Sequence, residues 1–110
     1  MDLARKKCVP CEGHETPFSR AQAEEYLKQV DGWELVDEGK LKIRKKFKFA
    51  TYLDGIDFVN KVAKIAERES HHPDLLVGWR CVTVDLTTHA IGGLFENDFI
   101  LAAKIDKLAD

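Results

Sequence analysis

Leu41-Lys42-Ile43-Arg44-Lys45-Lys46-Phe47-Lys48-Phe49 is the stretch on which the fold turns. Leu41, Ile43, Phe47 and Phe49 alternate with Lys40, Lys42, Arg44, Lys46 and Lys48, the period of two that suits a strand with one buried face. Lys45 interrupts the apolar face once. Upstream, Trp33-Glu34-Leu35-Val36 reads as a short strand and Asp37-Glu38-Gly39 as the turn after it, so the two strands predict a hairpin.

Reading outward towards the N-terminus, Ser19 with Gln22 three residues on is a capping box. The helix it opens carries Ala23, Tyr26, Leu27 and Val30 on one stripe and stops at Asp31-Gly32. Towards the C-terminus a long helix is expected from Thr51 to Arg68, with Leu53, Ile56, Val59, Val62, Ala63 and Ala66 facing inwards. His71-His72-Pro73 ends it, because a residue before proline avoids the helical region. Leu75–Trp79 and Cys81–Thr88 read as a second pair of strands, with Val82, Val84 and Leu86 on one face of the latter. Gly92-Gly93 breaks the chain before a last helix, Glu96–Leu108, which turns Leu101, Ala102, Ile105 and Leu108 inwards. The order α-β-β-α-β-β-α with short strand connections predicts an α+β, two-layer domain: a four-stranded antiparallel sheet with helices packed on one face. Residues 1–17 read as a loosely ordered N-terminal arm and 18–110 as a single domain.

The bulk composition narrows the function. Of 110 residues 33% are charged, and Lys+Arg 17 against Asp+Glu 19 leaves a formal charge of -2. That balance gives no global attraction to nucleic acid or to an anionic membrane. No apolar run is long enough to cross a bilayer, and basic residues near Met1 are not followed by the apolar stretch of a secretory signal. Three cysteines do not make a disulfide framework, so a reducing, cytoplasmic setting is expected.

Three of the four histidines, His71, His72 and His89, fall within nineteen residues. Imidazole exchanges protons near neutrality, and a reaction that protonates one atom while deprotonating its neighbour wants two of them. His89 continues the polar parity of Asp85 and Thr87. If the last two strands pair antiparallel, their far ends bring His89 to the His71-His72 corner. Glu67, Trp79 and Asp98 lie around them, and Asp98, on the inward stripe of the last helix, needs a partner because an unpaired buried carboxylate is costly. Singly, each has an ordinary structural explanation: a helix cap, a solvated charge, a core aromatic.

Together they resemble the pterin-4a-carbinolamine dehydratase family, also known as the dimerisation cofactor of a homeodomain transcription factor. Its pattern runs from an acid, over three residues, to His-His-Pro, then an aromatic, a histidine and an aspartate. Glu67, His71-His72-Pro73, Trp79, His89 and Asp98 meet it without a gap. Gly32-Trp33, Phe58-Val59-Asn60-Lys61-Val62, Thr87-Thr88-His89 and Leu101-Ala102-Ala103-Lys104-Ile105-Asp106 agree as flanks, over about Ser19 to the C-terminus. Some members carry a cysteine soon after the third histidine and an arginine before the aspartate; this chain has Ala90-Ile91 and Asn97 there.

The resemblance implies removal of water from 4a-hydroxytetrahydropterin to give quinonoid dihydropterin, in the recycling of the cofactor of aromatic amino acid hydroxylases. It implies His71, His72 and His89 as the catalytic set, Glu67, Pro73, Trp79 and Asp98 as binding or orienting residues, no metal and no organic cofactor. It also implies a homodimer or homotetramer. Relatives act as protein-binding modules, a transcription cofactor or an enzyme-assembly factor, and such roles need the fold but not the histidines. Three other readings carry less. A metal held by both His71 and His72 is disfavoured because neighbouring side chains in extended backbone point apart. Cys8-Val9-Pro10-Cys11 with His14 is half a zinc site without a second pair. The basic face of Lys40–Lys48 lacks the interleaved aromatics of a single-strand binder.

Overall fold

The alternation of residues 41–49 becomes a central strand. The computed structural model of the chain describes residues 2–10 and 13–109. In it β1 (Glu34–Asp37), β2 (Leu41–Lys48), β3 (Asp74–Val77) and β4 (Cys81–Leu86) form one sheet in the order β1-β2-β4-β3, every pair antiparallel. Two local hairpins therefore meet along a seam between β2 and β4, where Ile43 faces Leu86 and Lys48 faces Cys81. Three helices, α1 (Arg20–Leu27), α2 (Tyr52–Glu69) and α3 (Glu96–Leu108), cover one face. The expected α+β architecture and element order are found.

Ile43 and Phe47 from β2 and Val82, Val84 and Leu86 from β4 point into this layer. Lys45, the charge that β2 carries on that side, has its own partners: its Nζ lies 2.9 Å from Asp106 Oδ1 on α3 and donates to the Asp31 carbonyl at 2.8 Å. Its ammonium also stands 4.9 Å from the centre of the Phe47 ring. Asp106 in turn receives the Trp33 indole N–H at 3.1 Å.

The Ser19–Gln22 box forms as expected, both bonds present at 2.8 and 3.2 Å. The inward face of α2 differs from expectation. Gly55, Phe58, Val62, Ile65 and Ala66 are buried, whereas Leu53 is 71% exposed and Ala63 faces outward. Two apolar stripes compete on this helix. The one bearing the large aromatic wins, because Phe58 packs on Phe47 and Phe49 with ring centroids 4.8 and 5.1 Å apart.

The fourth strand is also shorter than its apolar run. β4 ends at Leu86, and Thr87 and Thr88 are both buried, which no continuing strand parity allows. Thr87 Oγ1 lies within hydrogen-bonding reach of the Leu41 and Gly93 carbonyls, and Thr88 pairs with Gly93. β3 likewise spans Asp74–Val77 and leaves Trp79 in the turn.

α3 is buried on more sides than a helix laid on a sheet, with Asn97, Asp98, Phe99, Ile100, Leu101, Ala102 and Ile105 all inside. The N-terminal segment accounts for this: a single 3-10 turn, Leu3–Arg5, lies against α3 with Leu3 only 4% exposed. Replacing Phe58 by alanine removes the ring that joins α2 to the sheet. We expect it to cost about 3–5 kcal/mol in the urea-unfolding free energy.

Candidate active site

α2 stops because Ser70 enters the left-handed region, φ 52 and ψ 39, a conformation uncommon outside glycine. Pro73 then keeps the chain extended. His71 and His72 fall on this corner, and their rings part. His71, 9% exposed, places Nε2 2.6 Å from Asp98 Oδ1. His72 places Nε2 3.0 Å from Glu67 Oε2 in solvent.

Asp98 is fully buried in the first turn of α3. Its second oxygen, Oδ2, accepts the Thr88 hydroxyl at 2.8 Å and the Phe95 backbone N–H at 3.0 Å. Phe95 precedes the helix without a polar side chain of its own, so Asp98 satisfies that amide from within. One carboxylate thus fixes a histidine, the start of a helix and the chain leaving β4.

His89 sits on a one-turn 3-10 helix, His89–Ile91, rather than at a strand's end. Gly92 closes that turn at φ 67, and the Thr88 N–H to Gly93 carbonyl bond of 2.8 Å locks its base. His89 Nδ1 lies 3.3 Å from Lys40 Nζ. An ammonium has only donors, so Nδ1 accepts.

The three imidazoles line one open cleft of about 210 Å³, with Ser70, Thr87 and Thr88 between them and Val9, Ala90 and Asn97 completing the rim. Convergence follows from the register. Asp74 pairs with Asp85, so the residues just before β3 and just after β4 share one end of the sheet. Glu67 and Asp98 hold His72 and His71 from outside the cleft, and Pro73 sets the corner. Trp79 is not with them: it lies in the β3–β4 turn at the other end of the sheet, 72% exposed, with the Arg80 guanidinium 4.4 Å from its ring centre. Lys40, Thr87, Thr88 and Val9 were not singled out for the site from the sequence. Only Thr87-Thr88 carried a signal, as a flank of the histidine motif.

Among the described residues no three His, Cys, Asp or Glu side chains converge as a metal-ligand set. Of the Cys8-Cys11 pair, Cys11 lies outside the described residues. Cys8 is half-buried with its thiol 3.6 Å from the Asn97 carbonyl. Burial, and then the negative charge of Glu69, pushes that thiol up to about 12.

Fold and cleft together describe an α+β domain with three imidazoles at one cleft, one of them backed by a buried carboxylate. Residues 16–108 match the family described as Pterin 4 alpha carbinolamine dehydratase. The chain belongs to this family, whose enzymes are hydro-lyases. A relative from Halorhodospira halophila, provisionally named as such a dehydratase, is 49% identical over 108 residues, 98% of each chain. Pterin-4-alpha-carbinolamine dehydratase 2 of Arabidopsis thaliana, a mitochondrial protein, is 49% identical over 97% of this chain and 59% of its own length. Among solved structures, a transcriptional coactivator/pterin dehydratase from Brucella melitensis superimposes with a TM-score of 0.81 at 32% identity, covering 86% of this chain and all of that one. A pterin dehydratase-like protein identified as a RuBisCO assembly factor gives 0.62 at 25% identity, over 71% of this chain and 89% of that one.

Two outcomes follow from this geometry. Asp98→Ala strands the Thr88 hydroxyl, the Phe95 amide and the His71 ring at once, and should lower the unfolding free energy by about 3–5 kcal/mol in urea. Cys8 retains its proton in the folded state up to about 12 but releases it near 9.0 when unfolded. Above pH 9 the unfolded state therefore binds fewer protons, and stability falls as pH rises. Melting curves at pH 8, 9 and 10 should show wild type losing ground to Cys8→Ser.

Proposed function

We propose that this protein eliminates water from 4a-hydroxytetrahydropterin by histidine acid–base catalysis. The observation that carries the reading is the opposed hydrogen bonding of His71 and His89 at one cleft. His71 gives its Nε2–H to Asp98, which leaves the Nδ1 lone pair as an acceptor. His89 receives the Lys40 ammonium at Nδ1, so in the neutral ring Nε2 carries the proton and is a donor. One imidazole is set to take a proton and the other to give one.

The elimination uses both. His71 accepts the N5 proton, the N5–H electron pair forms the C4a=N5 double bond, and the C4a–O bond breaks with its electrons on oxygen. His89 protonates the departing hydroxide, so quinonoid dihydropterin and water result and one proton returns from His71 to His89 through solvent. His72, steadied by Glu67, borders the cleft and orients the ring system. Assistance of this kind supplies roughly 10²–10⁴-fold, enough for an adduct that already decomposes slowly. No metal or organic cofactor takes part in these steps.

The substrate is the product of a pterin-dependent hydroxylation, so an aromatic amino acid hydroxylase is the functional partner and the step recycles its cofactor. A homodimer or homotetramer suits the apolar side chains left outside, Leu76 and Trp79 at the β3 end and Leu53 on α2. The unpaired Cys8 and Cys81 suit the reducing cytoplasm. No helix among the described residues is long and apolar enough to cross a membrane. A purely protein-binding role, as named for the RuBisCO assembly factor, would not need the Asp98-backed histidine, and its presence favours catalysis.

The test is the dehydration rate of synthetic 4a-hydroxytetrahydropterin with wild type, His71→Ala, His89→Ala and Asp98→Asn. Wild type should accelerate the reaction, and each substitution should remove about 10²-fold or more of that acceleration. Asp98→Asn acts by presenting an amide N–H to His71, which forces the other tautomer. A folded wild type no faster than the spontaneous reaction overturns the assignment.

A further inference from the structure

Asn97, beside Asp98 on α3, is 2% exposed. A carboxamide so buried meets partners inside the protein, and here the partner is the backbone of Val9. The Val9 N–H donates to Asn97 Oδ1 at 2.9 Å, and Asn97 Nδ2 donates to the Val9 carbonyl at 2.7 Å. One donor and one acceptor offered to both polar groups of a single residue stand in for a neighbouring strand.

The clamp has company. The Cys8 N–H donates to Glu69 Oε1 at 2.8 Å, Lys6 Nζ sits 2.7 Å from Glu96 Oε2, and Lys104 Nζ donates to the Ala4 carbonyl at 2.8 Å. The backbone of the N-terminal segment is thus tied to α3 and to the end of α2. Val9 is nonetheless 54% exposed and lines the histidine cleft. Farther on, Gly13 comes to the same rim, where a Cβ would stand 3.5 Å from the Ala90 carbonyl oxygen.

An aliphatic side chain whose backbone is fixed so firmly, yet which remains open on the cleft side, is placed for whatever enters the cleft. Small-molecule sites combine such apolar walls with a few directed polar groups, and the three imidazoles supply the polar side. We propose that Asn97 is a positioning residue for substrate: by clamping Val9 it makes the N-terminal segment an apolar wall against which the flat pterin ring lies. This rests on the dehydratase reading above. Asn97 also borders the cleft, but its carboxamide is engaged on both sides by the Val9 backbone, so it governs binding rather than proton transfer.

Steady-state kinetics on 4a-hydroxytetrahydropterin with Asn97→Ala, Val9→Gly and the double variant test this. Val9→Gly keeps every backbone hydrogen bond and removes only the wall. Both single variants should raise KM about five- to tenfold with kcat within about twofold of wild type. The double variant should be no worse than the more affected single, because both act through one contact. An unchanged KM for Val9→Gly overturns the proposal, as does a fall in kcat at constant KM for Asn97→Ala. If Asn97→Ala does not fold, Val9→Gly, which alters an open side chain, decides alone. Wild type in the same assay separates the two claims. Acceleration with unchanged variants removes the wall only, whereas an inert wild type removes the dehydratase assignment and the wall with it.

Discussion

The Asp98 carboxylate is the constraint on which the rest of the site depends. It has no exposure to solvent, so its charge must be met from within. Three donors meet it: the His71 ring, the Thr88 hydroxyl and the Phe95 amide. Each comes from a different region of the chain, and each is held in place by meeting the carboxylate. The same contacts that satisfy a buried charge therefore also set the tautomer of His71. Under the proposed function, stability and chemistry share one group, which leaves little freedom to change either separately.

Asp106 has the corresponding structural role about two turns farther along α3. It binds Lys45 from β2 and the Trp33 indole, and so anchors the C-terminal half of the helix over the first hairpin. With Asp98 over the second hairpin's end, α3 is pinned at both ends to opposite halves of the sheet. The N-terminal segment then closes its outer side through Leu3, Lys6 and the Asn97 clamp. Partly buried ion pairs of this kind fix orientation more surely than they add stability.

Much of this was legible in the sequence, and the exceptions have physical reasons. The period of two in residues 41–49 and the Ser19–Gln22 box are local signals, and both formed as read. Lys45 looked like a flaw in its strand because its partner, Asp106, is 61 residues away. The inward face of α2 was misread because Leu53 and Phe58 each head an apolar stripe, and only the presence of Phe47 and Phe49 across the layer decides between them. The meeting of His71, His72 and His89 followed from antiparallel pairing alone. Lys40 on His89 and Val9 on the cleft rim carry no local pattern, since both contacts exist only in three dimensions. Trp79 fitted a motif by spacing, but the strand between it and His72 leads away from the cleft.

The seam between β2 and β4 also governs when the site comes into being. Each hairpin closes over a few residues, while the seam joins partners as far apart as Ile43 and Leu86. Two contacts of the cleft's residues cross that seam's end: Lys40 from one hairpin meets His89 from beyond the other, and Thr87 reaches across to the Leu41 carbonyl. With both hairpins formed but not yet joined, the β3–β4 pairing already brings the three histidines to one end, yet His89 lacks its Lys40 contact and Thr87 its Leu41 carbonyl. Non-local pairings of this kind are the slow step in building a sheet. Under the proposed function, full activity therefore waits on the closing of the sheet rather than on its separate hairpins, because the Lys40 contact that orients His89 crosses the seam.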